Sequence, residues 1–231
     1  MKVRIKFSKY GSVKFIGHLD MMRYFQKAIR RAEIDIAYSE GFSPHQIMSF
    51  AAPLSVGHTS KGEYFDIELN SFTSEADLLN RLQSVMVEGI DILQVQLLKE
   101  GEQNAIASVK AASYLITFRD ETILPTGWQE ELTSFYAKPF IPVIKKTKKG
   151  EKEMNLKDSI YQLEIRGNSG IYMLLDASSG GNIKPGFVLD SFFDTLNYKL
   201  PEFAFTVHRI ETCKNIGTEE ERKLVPLIWE K

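Results

Sequence analysis

In the first hundred residues the spacing of hydrophobic residues differs from segment to segment. Some segments have a period of two, and others have the three- to four-residue period of a helix. Val3, Ile5 and Phe7 alternate with charged residues, which predicts a strand with one buried face. From His18 to about Ala32 the apolar residues recur at steps of three and four, which predicts an amphipathic helix. Its apolar positions are Leu19, Met22, Phe25, Ile29 and Ala32. Further strands are predicted at 34–38, 64–69 and 90–98, with a second helix from about Ser74.

The resulting order is strand, helix, strand, strand, helix, strand, which is the ferredoxin-like arrangement. In that topology the first and third strands are central neighbours. On the face away from the helices, Lys2, Arg4 and Lys6 are therefore expected beside Tyr64, Asp66 and Glu68. Because these charges neutralise each other and Tyr64 is the one aromatic there, that face is a poor stacking platform for RNA bases.

The second half repeats this alternation. A polar run at 99–104 marks the boundary, so we predict domains at 1–104 and 105–231. Extended segments are predicted at 114–118, 140–147, 160–166, 171–175 and 203–210, with helices after Pro125 and at 187–198. The fold class is α+β, with two ferredoxin-like (βαββαβ) units that have antiparallel sheets, the second with an extra hairpin. The rival architecture is one α+β domain with a single larger sheet.

Composition narrows the class of protein without identifying it. A hydrophobic fraction of 43% and a charged fraction of 26% are those of a globular protein, and no window is apolar enough for a membrane span. Because the N-terminal residues alternate instead of forming a signal-peptide core, we expect a cytoplasmic location. Cys213 is the single cysteine, which excludes an internal disulfide and an iron–sulfur cluster held by this chain alone.

Charge is distributed unevenly although the net charge is -1. Residues 1–62 hold ten Lys/Arg against four Asp/Glu, and residues 63–109 hold two against nine. On the first helix, four cations follow the spacing i, i+4, i+7, i+8 and share one face. They are Arg23, Lys27, Arg30 and Arg31, called the basic stripe below. A phosphate backbone would satisfy this stripe, as would carboxylates of the acidic segment or simple solvation.

Three loops are candidate ligand-facing regions. In the segment 38–69, residues 40–45 form the candidate surface, with Phe42 and His45 facing a ligand beside the basic helix. A hairpin tip at 145–150 contributes Lys146, Lys148 and Lys149, either as a solvated edge or as a phosphate contact. A glycine-rich segment at 178–186 leads into a helix with Lys184 beside it. That segment is either a flexible connection or an anion site.

Three of the four histidines, His18, His45 and His58, fall within the first 58 residues. They are candidates for proton transfer near neutral pH. Their spacing matches no metal-ligand motif, so neither a metal nor a cofactor is predicted. No nucleophile elbow is evident.

Several segments together resemble the radical-SAM-linked proteins, a family of bacterial domains of unknown function that occur alone or fused to radical-SAM enzymes. The segments with this resemblance are Phe15–Asp20, Arg30–Ala32, Ala37–His45, Ser49–Leu54, Glu63–Leu69 and Asn182–Pro185. The resemblance implies a radical-SAM enzyme as partner, without radical-SAM chemistry in this chain, because the three-cysteine motif is absent. The doubled ferredoxin-like order is also similar to that of CRISPR repeat-associated RNA-binding proteins, a likeness of fold only.

Three hypotheses follow. The first is an RNA-binding accessory that presents structured RNA, such as transfer or ribosomal RNA, to a separate radical-SAM enzyme. The second is a metal-independent ribonuclease that uses His18, His45 or His58 as acid and base. The third is a protein-interaction module that contacts the radical-SAM enzyme through aromatics such as Phe42 and Phe50.

Overall fold

A computed structural model describes residues 1–147 and 150–229. It divides into two compact units, Met1–Lys110 with Arg209–Lys231, and Ala111–His208. In chain order the elements are β1 (Lys2–Lys9), α1 (His18–Arg31), β2 (Met48–Phe50), β3 (Thr59–Glu68), α2 (Glu75–Gln83), β4 (Ile92–Leu97), α3 (Ala105–Ser108), β5 (Ala111–Phe118), α4 (Trp128–Ala137), β6 (Pro142–Thr147), β7 (Gly150–Asn155), β8 (Ile160–Arg166), β9 (Gly170–Asp176), α5 (Pro185–Thr195), β10 (Phe205–Asn215) and β11 (Leu224–Pro226).

The first unit has the ferredoxin-like strand order β4-β1-β3-β2, with β1 antiparallel to both β3 and β4. Its core contains Val3, Ile5 and Phe7 on one face of β1, together with Phe25 of α1 and Leu82 of α2. The period-two prediction for β1 is therefore confirmed. The C-terminal part of β10 also belongs to this unit, where it pairs with β11.

On the opposite face of this sheet the charged residues of β1 lie beside those of β3, as predicted. Lys2 lies opposite Glu68, Arg4 opposite Asp66 and Lys6 opposite Tyr64. Arg4 is fully buried and donates to both carboxylate oxygens of Asp66, at 2.8 and 3.1 Å. Arg4 also donates to the carbonyls of Gln103 and Leu227. Residues near α3 and β11 of the same unit therefore cover this face. The ferredoxin-like arrangement predicted from the sequence would leave it open, and that expectation is wrong.

The second unit repeats this strand order as β10-β5-β9-β8. Of β10, residues 205–208 belong to the second unit. Helices α4 and α5 bury apolar faces in one core with β5 and β9. The buried helical residues include Trp128, Leu132, Phe135, Val188, Leu189, Phe192 and Phe193. Strands β6 and β7 form a separate two-stranded antiparallel sheet between α4 and β8. Both ferredoxin-like units and the extra hairpin are confirmed.

Three details differ from the expectations. In α1 Leu19 is exposed and Met21 is buried in its place. The edge strand of the first unit is β2, whereas the predicted strand at 34–38 has only two isolated bridges, at Ile36 and Tyr38. The sequence-based division falls at 104/105, whereas the contacts divide the chain after Lys110. Among the described residues, no helix has both the length and the apolar character needed to cross a bilayer.

Candidate nucleic-acid interface

The basic stripe lies on the exposed side of α1, opposite the buried face. Arg23 pairs with Asp20 at 3.1 Å, and both side chains are mostly exposed. Arg31 donates to the carbonyl of Val85 and lies over the ring of Tyr24. Within residues 1–147 and 150–229, no carboxylate lies within 4.0 Å of Lys27, Arg30 or Arg31. The acidic segment therefore does not neutralise these three cations, and their charge faces solvent.

The loop 39–45 is closed by hydrogen bonds at its base. Ser39 N–H donates to the carbonyl of His45 at 2.9 Å, and His45 N–H donates to Ser39 Oγ at 3.1 Å. Ser39 Oγ also lies 2.8 Å from His45 Nδ1. Gly41 has φ +106°, a left-handed conformation that favours glycine. At the far end of the loop the Phe42 side chain has a relative accessibility of 111%.

A shared acceptor joins this loop to the basic stripe. The carbonyl oxygen of Gln26, in the middle of α1, accepts a hydrogen bond from Gln46 Nε2 at 3.2 Å. It also accepts one from Arg30 Nε at 3.3 Å. Gln46 directly follows the loop and is buried. Arg30 therefore lies beside the base of the loop. This agrees with the expectation that the loop is next to the basic helix.

The candidate histidines occupy different environments. The His18 ring meets the Phe50 ring edge-on, with centroids 5.5 Å apart. His45 is held by Ser39 in the exposed loop, and His58 N–H donates to the carbonyl of Ser55 in a turn. In the part of the chain that the structure describes, no three His, Cys, Asp or Glu side chains are grouped as metal ligands.

Phe50 belongs to an aromatic cluster of the first unit. Its ring stacks on Phe65 with centroids 5.0 Å apart, and it also contacts Phe7 and Phe25. Phe50 is consequently committed to internal packing. Of the two aromatics considered for contact with a partner, Phe42 is the exposed one.

A buried charged group next to His18 was not anticipated. Glu63 pairs with Arg209, and Lys9 donates to the carbonyl of Ile16 at 2.7 Å. Burial lowers the pKa of Lys9, an effect that the neighbouring Glu63 carboxylate opposes. Lys9, His18 and Glu63 line a small pocket of about 20 Å³, room for roughly one water molecule. Glu63 has the same parity as the buried Phe65 and Ile67, a signal in the sequence that predicts its burial.

In the second unit, a cleft of about 770 Å³ lies between strand β6 and helix α5. Both Lys145 and Lys184 line it, so the hairpin and the glycine-rich segment meet there. Lys145 Nζ donates to the carbonyls of Gly181 and Asn182, at 2.8 and 3.1 Å, and thereby fastens the glycine-rich segment to the hairpin. Lys184 is exposed at the start of α5. Lys146 belongs to β6, and Lys148 and Lys149 lie outside the described residues.

Helix α5 also brings carboxylates to this cleft. Asp190 and Asp194 are one helical turn apart and both line it. Partial burial raises the pKa of Asp190, and the charge of Asp194 adds to the effect. The cleft thus contains charges of both signs, unlike the cationic surface of α1.

Two comparisons with known proteins bear on identity. A search of curated proteins finds no match to this chain. A family model described as "uncharacterized protein conserved in bacteria" (DUF2344) matches residues 2–185. Since this match covers well over half of the 231 residues, the chain belongs to the bacterial family DUF2344.

Proposed function

We propose that this protein binds structured RNA and presents it to a separate radical-SAM enzyme in the modification or maturation of transfer or ribosomal RNA. The RNA part of the proposal rests on the surface of the first unit. The enzyme partner rests on the resemblance to radical-SAM-linked proteins and on the presence of one cysteine, too few for this chain to hold an iron–sulfur cluster alone. Such a role belongs in the cytoplasm, where these RNAs are processed.

The RNA part of the proposal rests on two hydrogen bonds to the carbonyl oxygen of Gln26, one donated by Arg30 Nε and one by Gln46 Nε2. This shared acceptor brings Arg30, one of the solvent-facing cations of the basic stripe, next to a closed loop with an exposed aromatic ring. Phosphates interact with the cations through charge, and bases interact with the ring by stacking. Folded RNA that contains unpaired loops or bulges offers both kinds of contact.

Salt dependence is the measurable signature of the stripe. Four phosphate contacts are expected to give a slope of log affinity against log salt of about -3 to -4. Replacing Arg23, Lys27, Arg30 and Arg31 by Gln should weaken RNA binding and flatten this slope.

The matched control removes four exposed cations elsewhere, at Lys2, Lys61, Lys99 and Lys199. Both variants carry the same net charge, so a general Coulomb effect would change them equally. Binding of a transfer-RNA transcript should fall for the stripe variant and change much less for the control. Equal losses in the two variants, or no binding by the wild type at low salt, would contradict the proposal.

The second candidate function is a module that contacts the radical-SAM enzyme directly. It is favoured by apolar side chains exposed on the first unit, among them Phe15 and Leu19, each 66% exposed. Exposed apolar residues of this size are common at protein interfaces when they are contiguous. Copurification with the radical-SAM enzyme after ribonuclease treatment, lost on Phe15→Ser and Leu19→Ser but retained in the stripe variant, would favour this function over the first.

A further inference from the structure

We infer that Phe42 is a stacking site for an unpaired RNA base, so that the preferred ligand contains a single-stranded loop or bulge and is not a continuous duplex. The inference rests on the proposed function and adds the class of RNA to it. It is carried by the exposure of Phe42, the closure of its loop and the position of Arg30.

Phe42 is available for contact on a loop that is already ordered. Three contacts between Ser39 and His45 close the base of the loop, and Gly41 provides the left-handed turn that leads into Phe42. Within the part of the chain that the structure describes, the Phe42 ring stacks on no other ring and on no cation, and its side chain projects fully into solvent. Because the base of the loop is already closed, binding has to order little of its backbone, which favours affinity.

Arg30, beside the base of the loop, has a guanidinium edge available for a phosphate of an RNA bound at this loop. Its Nε is occupied by the Gln26 carbonyl, which fixes the orientation of the guanidinium plane. Within the described ranges, neither terminal nitrogen of Arg30 has a hydrogen-bond partner or a carboxylate within reach. The outer edge of the planar fork is therefore free, and that edge suits two phosphate oxygens.

The requirement for an unpaired base follows from the geometry of RNA. In an A-form duplex the bases are stacked on each other and the major groove is deep and narrow, so an aromatic ring on a short loop does not reach a base face. Unpaired bases in loops and bulges expose their faces and stack on aromatic rings in a manner that tolerates any sequence. The Arg30 charge beside the base of the loop favours RNA over an apolar protein surface, although Glu40 in the same loop opposes it.

The test compares two RNAs of equal length and charge, one a stem with an unpaired loop and one a blunt duplex. For wild-type protein the stem-loop should bind more tightly. Phe42→Ala should weaken stem-loop binding about tenfold, leave duplex binding unchanged and so abolish the preference. Phe42→Trp should retain it, because the larger ring also stacks. Phe15→Ala, which removes another exposed ring of the same unit, is the matched control and should change neither affinity.

The outcomes separate this inference from the function beneath it. If neither RNA binds, both the function and the inference are overturned. If both RNAs bind equally and Phe42→Ala has no effect, the inference is overturned while RNA binding stands. If Phe42→Ala leaves both RNA affinities unchanged but abolishes binding to the purified radical-SAM enzyme, Phe42 is a protein contact and the inference is again overturned.

Discussion

Arg209 donates from Nη1 to both carboxylate oxygens of Glu63, at 2.9 and 3.2 Å. The side chains of this pair are 6% and 7% exposed, respectively. Arg209 also donates to the carbonyls of Ala52 and Pro53, which follow β2. One buried ion pair therefore links β3, β10 and the segment after β2 within the first unit.

Removing one member of this pair should destabilise the fold strongly. In Glu63→Gln the Arg209 charge stays buried without its carboxylate, so the free energy of unfolding should fall by about 3–5 kcal/mol. Urea denaturation measures this loss. The double variant Glu63→Leu/Arg209→Met should recover part of it, because the buried Arg209 charge is removed as well, although buried Lys9 still loses the neighbouring Glu63 carboxylate. As a control, Asp20→Asn removes the exposed partner of Arg23 and should cost no more than about 1 kcal/mol.

The fold was predictable wherever the pattern of residues is local. Alternation along β1 leaves two possible faces, and the apolar one must be buried, so the ferredoxin-like topology places the charged face of β1 beside Tyr64, Asp66 and Glu68. The individual pairing of Arg4 with Asp66 depends on the strand register and did not follow from the sequence. In α1 the basic stripe was predictable from helical spacing. The phase of the first turn was not, because Leu19 and Met21 are both apolar and only tertiary packing chooses Met21.

The link between loop and helix could not be predicted, because it depends on a contact across 20 residues. A sequence gives no reason for Gln46 Nε2 to reach the carbonyl of Gln26. Likewise Glu63 and Arg209 are 146 residues apart, and nothing in the sequence around Arg209 indicates that it pairs with Glu63. Non-local hydrogen bonds of this kind decide which candidate residues share a surface.

Cys213 should be inert in the folded protein. It is buried, and desolvation together with the nearby Glu211 carboxylate raises the pKa of its thiol to about 12. Since the thiolate is the reactive form, iodoacetamide at pH 8 should leave native protein unmodified and should alkylate urea-unfolded protein rapidly. Mass spectrometry distinguishes the two. Rapid modification of native protein would show that this strand opens locally.

Asp35 should contribute to the acid dependence of stability. Asn70 Nδ2 and Ser71 Oγ donate to its carboxylate at 2.9 and 2.7 Å, and these bonds lower its pKa below the ordinary value of 3.8. A lowered folded-state pKa adds stability above the unfolded-state value, and this stability is lost as the pH falls through the folded-state pKa. Asp35→Asn should therefore unfold more readily than wild type at neutral pH, with a difference that shrinks below pH 3.8.

The control for Asp35 is Glu100→Gln, which removes an exposed carboxylate with no hydrogen bond among the described residues. Thermal unfolding followed at a series of pH values measures both variants. A pH-independent difference for Asp35→Asn would mean that its hydrogen bonds do not favour the ionised form.

If the protein only binds RNA, none of its histidines acts as an acid or base in RNA cleavage. His18, His45 and His58 each contact a different residue, namely Phe50, Ser39 and Ser55. The proposal predicts that wild-type protein leaves a labelled stem-loop RNA intact. Cleavage by the wild type, lost in any single His→Ala variant, would support the ribonuclease hypothesis instead. His45→Ala has a second expected effect. It removes the contact to Ser39 Oγ, so it should weaken stem-loop binding through a less ordered loop.

Lys145 and Lys184 line the same cleft and should behave differently when replaced. Lys145 Nζ bonds two carbonyls of the glycine-rich segment, so Lys145→Gln should lower the free energy of unfolding by about 1–3 kcal/mol. The Lys184 side chain makes no hydrogen bond or ion pair within the described residues, so Lys184→Gln should leave stability unchanged. If the cleft also contacts RNA, Lys184→Gln should reduce the salt slope by about 0.7–0.9, the effect of one phosphate contact. An unchanged slope would restrict the RNA-binding surface to the first unit.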